Sequence, residues 1–278
     1  MKLAGWFCAI VLAGGAAAGP AAAQPSRVVS MNVCTDQMAM LVAGEGQLIS
    51  VTHLATDPHT SAMVEEAQAF SVNHGLAEEI FLMKPDLVLA GTYTSRASAD
   101  LLRSLGIRVE MFDPVDNFGE VREQLLRIGE VLGRKDRAAA IVAELDEGLR
   151  EYTTDMSGIT ALGWSSNSYA TGGGTFTDAV MKAAGLTNIA AREGIQGGAR
   201  VPLETLLAQK PDLIVTGSTS YERPAMAQDN FAHPAFRAYV SDGKQVSVPD
   251  QYWVCGAPFT LEAVRILQMA AKARGAAN

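Results

Sequence analysis

The sequence predicts an α/β fold made of two similar doubly wound α/β lobes joined by a single long α-helix. Three observations predict it. The segment Glu78–Gly91 aligns without gaps on Glu204–Gly217, an offset of 126 residues, and such self-similarity marks a repeated structural unit. Each copy reads as a helix, a Lys-Pro-Asp turn and a short apolar strand. The strands, Leu87-Val88-Leu89 and Leu213-Ile214-Val215, show no alternation, which suits strands covered on both faces of a parallel sheet. Finally, about 20 residues between the copies carry apolar side chains at helical spacing, a rod of roughly 30 Å.

The elements follow in order. The first lobe opens with a strand at Arg27–Ser30, then a helix through Asp36 to Val42 ended by Gly44, then a strand at Leu48–Val51. The first repeat copy comes next. Proline stops its helix, because the residue before a proline is pushed out of the α region. A helix Ala97–Leu105 is stopped by Gly106, and a strand runs over Ile107–Phe112. Asn117 and Glu120 have the spacing of a capping box opening a helix that Gly133 breaks. The rod then spans Lys135 to about Thr153, with Ala138, Ile141, Val142, Leu145, Leu149 and Tyr152 on one stripe and Gly148 as its weak point. Periodicity alone also fits a surface helix of one larger domain. The second lobe starts near Ile159, with a strand at Ala161–Trp164, a Gly172–Gly174 loop and a helix Phe176–Ala184 closed by Gly185. The second repeat copy and a strand at Gln245–Val248 follow. A last helix, Leu261–Ala273, takes Thr260 as N-cap, with Lys272 and Arg274 at its end as the macrodipole prefers.

Composition narrows the function. The chain has 278 residues, 22 Lys and Arg against 30 Asp and Glu, and a net charge of −8. No basic footprint points to nucleic acid. Lys2 precedes an apolar run, Leu3–Ala18, and then small residues at Ala21 and Ala23. This is the pattern of a secretory signal, residues 1–23, cleaved after Ala23. Cys8 lies inside the apolar run, and the small residues of a lipoprotein cleavage box do not precede it, so no lipid anchor is expected. The expected mature chain is exported to the periplasm and soluble. It keeps Cys34 and Cys255 of the three cysteines. The remaining boundaries are an N-terminal lobe over 24–115, a helical linker over 116–156 and a C-terminal lobe over 157–278.

The paired motif Glu-x-Ile/Leu-x-x-x-Lys-Pro-Asp-Leu-Val/Ile, with a long helix between copies and a signal in front, resembles a known family. These are the periplasmic substrate-binding proteins of metal-chelate ABC transporters, which carry iron-siderophores, haem or vitamin B12. The likeness covers most of residues 27–270. It implies a ligand cleft between the lobes, a small-molecule metal chelate as ligand, an ABC permease dimer as partner, a monomer, and no intrinsic cofactor. It also implies that Glu78 and Glu204 dock in arginine pockets of the two permease subunits. The residues agree: a carboxylate in a first helical turn is favoured by the dipole and normally exposed, and two on separate lobes grip a symmetric partner at once. Plain helix capping is the other reading of both.

In doubly wound sheets, ligands lie beyond the carboxyl ends of the strands. The loops there hold the candidate binding residues. Tyr93, Tyr221, Tyr252 and Trp253 offer flat contact area. Arg96 and Arg200 suit carboxylates or a catecholate. Asn32, His53 and His74 add polar groups. Thr175 follows the Gly172–Gly174 loop, which is either an anion cradle or a tight turn. Vitamin B12 binders of the family carry tryptophan where Gly91 stands and another around Gly198, which weakens that ligand. A bare zinc or manganese site needs several converging histidines and carboxylates, and His53 with His74 is the one pairing on offer. That direct metal carrier, or an exported enzyme or sensor on this fold, is the alternative. No catalytic motif is present, so the expectation is not an enzyme. Cys34 and Cys255 both fall at the cleft edge, one per lobe. In an oxidising compartment they form a disulfide, stay free, or contact a soft metal in the chelate.

Overall fold

The computed structural model describes residues 24–152, 158–218 and 229–276. The expected signal segment 1–23 and Tyr221 lie outside them.

The first lobe runs β1 (Val28–Ser30), α1 (Val33–Val42), β2 (Leu48–Thr52), α2 (Val64–Ala67), β3 (Ser71–Asn73), α3 (Ala77–Leu82), β4 (Leu87–Gly91), α4 (Arg96–Ser104) and β5 (Arg108–Phe112). Its sheet has the order β3-β2-β1-β4-β5, with every pair parallel. All five residues of β4 are buried, as its apolar run predicts.

The linker is a helical pair, α5 (Phe118–Val131) and α6 (Lys135–Glu151). Asn117 caps α5, its side chain accepting the Glu120 N–H at 3.0 Å. Glu120 answers by accepting from the Asp116 N–H at 2.7 Å. The long helix is no free-standing rod. α5 packs along it, and Ala138, Ile141 and Leu145 are buried in a core that also holds Val28 and Leu87 of the first lobe and Ala161 and Leu213 of the second. Gly148 is no weak point either: a Cβ there would lie 2.3 Å from Leu261 Cδ1. The glycine lets the last helix approach closely.

The second lobe runs β6 (Thr160–Ser165), β7 (Tyr169–Thr171), α7 (Phe176–Ala183), β8 (Thr187–Asn188), α8 (Ile189–Arg192), β9 (Gly198–Arg200), α9 (Leu203–Gln209), β10 (Leu213–Thr216), α10 (Asp229–Ala232), α11 (Pro234–Val240), β11 (Gln245–Ser247) and α12 (Thr260–Gly275). Its sheet is β11-β10-β6-β7-β9, with β8 also on β6. One half repeats the first lobe, since β6, β10 and β11 are parallel. The other half is antiparallel, which the uniform doubly wound expectation did not include. The cause is local: Asn167 and Ser168 take φ of 57° and 59°, and positive φ reverses a strand into a hairpin. Trp164 fixes the returning chain, donating to Val201 O at 3.0 Å. Thr260 is not the N-cap of α12; Phe259 holds that position and Thr260 is already helical. The Thr260 hydroxyl instead accepts the Ala257 N–H at 3.3 Å.

The repeat has a shared geometry. Lys84 and Lys210 take φ of 50° and 49°, so the residue before each proline leaves the right-handed region for the left-handed one. The aspartate that follows clamps the first strand of its own lobe. Asp86 accepts from the Ser26 and Arg27 N–H groups at 2.7 and 3.0 Å. Asp212 accepts from the N–H and hydroxyl of Thr160 at 2.8 and 2.6 Å.

Candidate functional site

The first turn of α1 begins where β1 ends, and β4 and β5 finish beside it. A cavity of about 350 Å³ opens there, at the carboxyl ends of these strands. Asn32, Thr35 and Gly91 line it from the first lobe, Gln124 from α5, and Val254, Cys255 and Gly256 from the second lobe. Val33, Met38, Phe112 and Val115 make most of the wall apolar. Both lobes therefore build it, the second through one loop.

Its polar groups are few. Asn32 caps α1, accepting the Cys34 N–H at 3.0 Å. A Cβ at Gly91 would stand 2.7 Å from the Asn32 carboxamide, so a tryptophan at that place and this Asn32 rotamer exclude each other. Thr92 donates to Asp113 at the rim. Gln124 Oε1 is buried without a hydrogen-bond partner among the described residues. Tyr93 stands at the mouth, 86% exposed.

Across the floor, Cys34 and Cys255 are joined, with Cα atoms 5.2 Å apart over 221 residues of chain. The neighbouring Gly256 permits this approach: a Cβ there would lie 2.4 Å from Val121 and 2.6 Å from Val115.

Beneath the first turn of α1 is a buried polar layer. Asp36 accepts from the Thr52 N–H at 3.1 Å and its hydroxyl at 2.6 Å. Asp36 Oδ1 accepts no hydrogen bond among the described residues. Burial pushes the carboxyl up to about 6, against hydrogen bonds from Ser30 and Thr52 that lower it. Ser30 and Thr35 share a 2.7 Å bond, and Asn73 donates to Ser30 O and Ser50 Oγ at 2.8 and 2.9 Å.

The other candidates fall elsewhere. His53 and His74 follow β2 and β3 and sit together, ring centroids 5.3 Å apart. Arg96 opens α4, exposed. Thr175 caps α7 and donates to Gly172 O at 2.9 Å. The Gly172 and Gly173 N–H groups donate to Gly197 O and Ile195 O across a bridge between Gly173 and Gln196, so those two donors are occupied. Arg200 ends the edge strand β9 and donates to Asn167 O at 3.2 Å. Tyr252 and Trp253 pack partly buried against the common core. Glu78 and Glu204 are exposed in the first turns of α3 and α9. Among the described residues, no three His, Cys, Asp or Glu side chains converge as a metal site, and no helix is long and apolar enough to cross a membrane.

A protein-family model described as periplasmic binding protein matches residues 28–239. The chain belongs to the periplasmic binding protein family. A cobalamin-binding protein of Halobacterium salinarum is 27% identical over 210 residues, 73% of this chain and 57% of that relative's own length. A periplasmic haem-binding protein from Pseudomonas aeruginosa has the same fold, with a TM-score of 0.72 at 20% identity over 88% of this chain and 92% of that one. A periplasmic vitamin B12-binding protein of Vibrio cholerae superposes with a TM-score of 0.66 at 19% identity, over 91% of this chain and 98% of that one. The α/β architecture of this family member is thus a parallel first sheet and a mixed second sheet, with helices between and around them.

Proposed function

We propose that this protein is an extracytoplasmic carrier that holds a metal chelate between its lobes and passes it to an ABC permease. The observation that carries the reading is the position of the cavity, at the carboxyl ends of the parallel strands and closed by a loop of the other lobe. Relatives named for binding cobalamin and haem support the ligand class. An apolar wall with a few polar groups suits a flat, largely apolar chelate. At about 350 Å³ the cavity admits part of a tetrapyrrole, the rest lying at the mouth against Tyr93. Asn32, Asp113 and Gln124 supply the orienting hydrogen bonds. The leader at residues 1–23 directs export, and the mature chain acts as a monomer and performs no chemistry.

Titrating the mature protein with haemin, cyanocobalamin and a ferric hydroxamate, read by quenching of Trp164 and Trp253, tests the ligand class. Saturable one-to-one binding to one of them is expected; none with any of the three refutes the reading. Glu78 and Glu204 present the permease contacts, one per lobe. The Glu78→Ala/Glu204→Ala protein should keep chelate affinity and lose uptake in cells, and normal uptake would remove that assignment.

A further inference from the structure

Parallel strands in register deliver neighbouring side chains to the same place. β2 and β3 are such a pair, with Thr52 opposite Asn73. The residues that follow, His53 and His74, therefore leave the sheet side by side. Their ring centroids are 5.3 Å apart with planes inclined by 21°, and both rings are exposed.

Glu79 fixes one of them. Its carboxylate accepts the His74 backbone N–H at 2.8 Å and lies 3.3 Å from His74 Nδ1. A carboxylate on Nδ1 keeps the proton there and leaves Nε2 as a lone pair, the outer-sphere arrangement behind many metal-bound histidines. The His53 ring makes no hydrogen bond among the described residues. Asp57, four residues on, is held below the usual carboxylate range, first by the His59 N–H, with the field of His53 adding to it. The edge thus offers two adjacent imidazoles, one of them oriented by a carboxylate. Two imidazoles on one tetrahedral ion, with metal–nitrogen bonds of about 2.0–2.1 Å, bring their centroids to roughly 5 Å. The observed separation is of that size, and the stacked rings need only turn about their side-chain torsions for both Nε2 atoms to face one ion.

We propose that His53 and His74 bind one divalent d-block ion of the imidazole-preferring group, zinc, nickel or copper. Glu79 orients His74, and water completes the sphere. The site shares no residue with the cavity and does not depend on the carrier reading, since its probe is the metal alone.

The test is calorimetric titration of the chelator-washed mature protein with the chlorides of Zn²⁺, Ni²⁺ and Cu²⁺. One ion per chain is expected. His53→Ala and His74→Ala should each weaken binding at least about tenfold, Glu79→Gln by about 10- to 100-fold, and His59→Ala should leave it unchanged. Affinity should fall on acidification, because protons compete with the ion for both imidazoles. Electron paramagnetic resonance of the Cu²⁺ form should show coupling to two imidazole nitrogens, reduced to one in either histidine variant. These exposed positions leave the fold intact, which circular dichroism checks. Absence of stoichiometric binding, full affinity in His53→Ala, or loss in His59→Ala would overturn the assignment.

Discussion

The first helix of each lobe, α1 and α7, buries an aspartate in its first turn, and the two aspartates live differently. Asp178 on α7 accepts from Lys182 Nζ at 2.6 Å and from Asn188 Nδ2 at 3.0 Å. Its lysine partner keeps 65% of its side chain in water while the carboxylate keeps 3%, so the buried charge is compensated with little desolvation of the lysine. Among the described residues, Asp36 on α1 has hydroxyl and amide donors but no ion-pair partner, and one oxygen accepts no hydrogen bond. The lobe that holds most of the cavity thus keeps an unneutralised buried acid beneath it, whereas the other has compensated the same feature. The difference is local: Lys182 stands one turn on from Asp178 in the same helix, whereas the matching place after Asp36 holds the uncharged Met40.

The largest expected effect concerns whether the lobes can be treated apart at all. The Cys34–Cys255 link closes 221 residues, and on the chain-entropy model such a loop is worth about 5 kcal/mol. The Cys34→Ser/Cys255→Ser protein should melt roughly 10–20 °C lower, at about 2–4 °C per kcal/mol for a chain of this size. The shared core through α6 argues that melting stays one transition. Two separate transitions in calorimetry would make the lobes independent units and void the comparison.

The aspartates come next, with distinguishable pH signatures. The folded-state pKa of Asp36 is raised to about 6 from 3.8, so between these values the folded protein binds the proton more tightly than the unfolded chain. Its contribution is therefore favourable at low pH and is lost as the pH rises from about 4 through about 6, by at most on the order of 3 kcal/mol. Asp36→Asn should abolish that slope in denaturant-derived stability. Asp178→Asn should leave the slope and lower stability at pH 7 by about 1 kcal/mol, the scale of a charge-assisted bond whose lysine returns to water. If Asp36→Asn leaves the slope in place, the difference between the lobes is not electrostatic.

Much of this was legible from local pattern. The two repeat strands, the cap at Asn117 and the stops at Gly106 and Gly185 depend on residues within a few positions of one another, and they fall where the spacing puts them. The antiparallel half of the second sheet was not: the positive φ at Asn167 and Ser168 that turns the chain back carries no glycine signal, and the returning chain is then held by Trp164 reaching Val201, 37 residues away. The cavity divides in the same way. Asn32 and Tyr93 sit at strand ends, the place the fold class reserves for ligands, and they line it. Gln124 lies on the linker, where its spacing marks only a helix face, and reaches the cavity through packing of α5. Thr175 is taken up as the cap of α7, and Arg200, at the end of strand β9, turns its Nε to Asn167 O, 33 residues away. The desolvation of Asp36 follows from tertiary burial, which no local signal in α1 reports.

The smallest predicted effect tests what the lobes share. Lys84 and Lys210 both adopt φ near +50°, a conformation that costs an L-residue roughly 1–2 kcal/mol. The following proline bars the right-handed region, and the aspartate clamp then sets where the strand begins, so the turn has little choice. Glycine relieves the clash between Cβ and carbonyl but frees the unfolded chain by roughly 0.5–1 kcal/mol. Lys84→Gly and Lys210→Gly should each stabilise by less than about 1 kcal/mol. The sites lie in different lobes, so their effects should add in the double variant. Equal gains would mean that backbone conformation alone determines the turn in both copies. A loss at one lysine and not the other would assign that side chain a role of its own, and the repeat would then be conserved in shape for two different reasons.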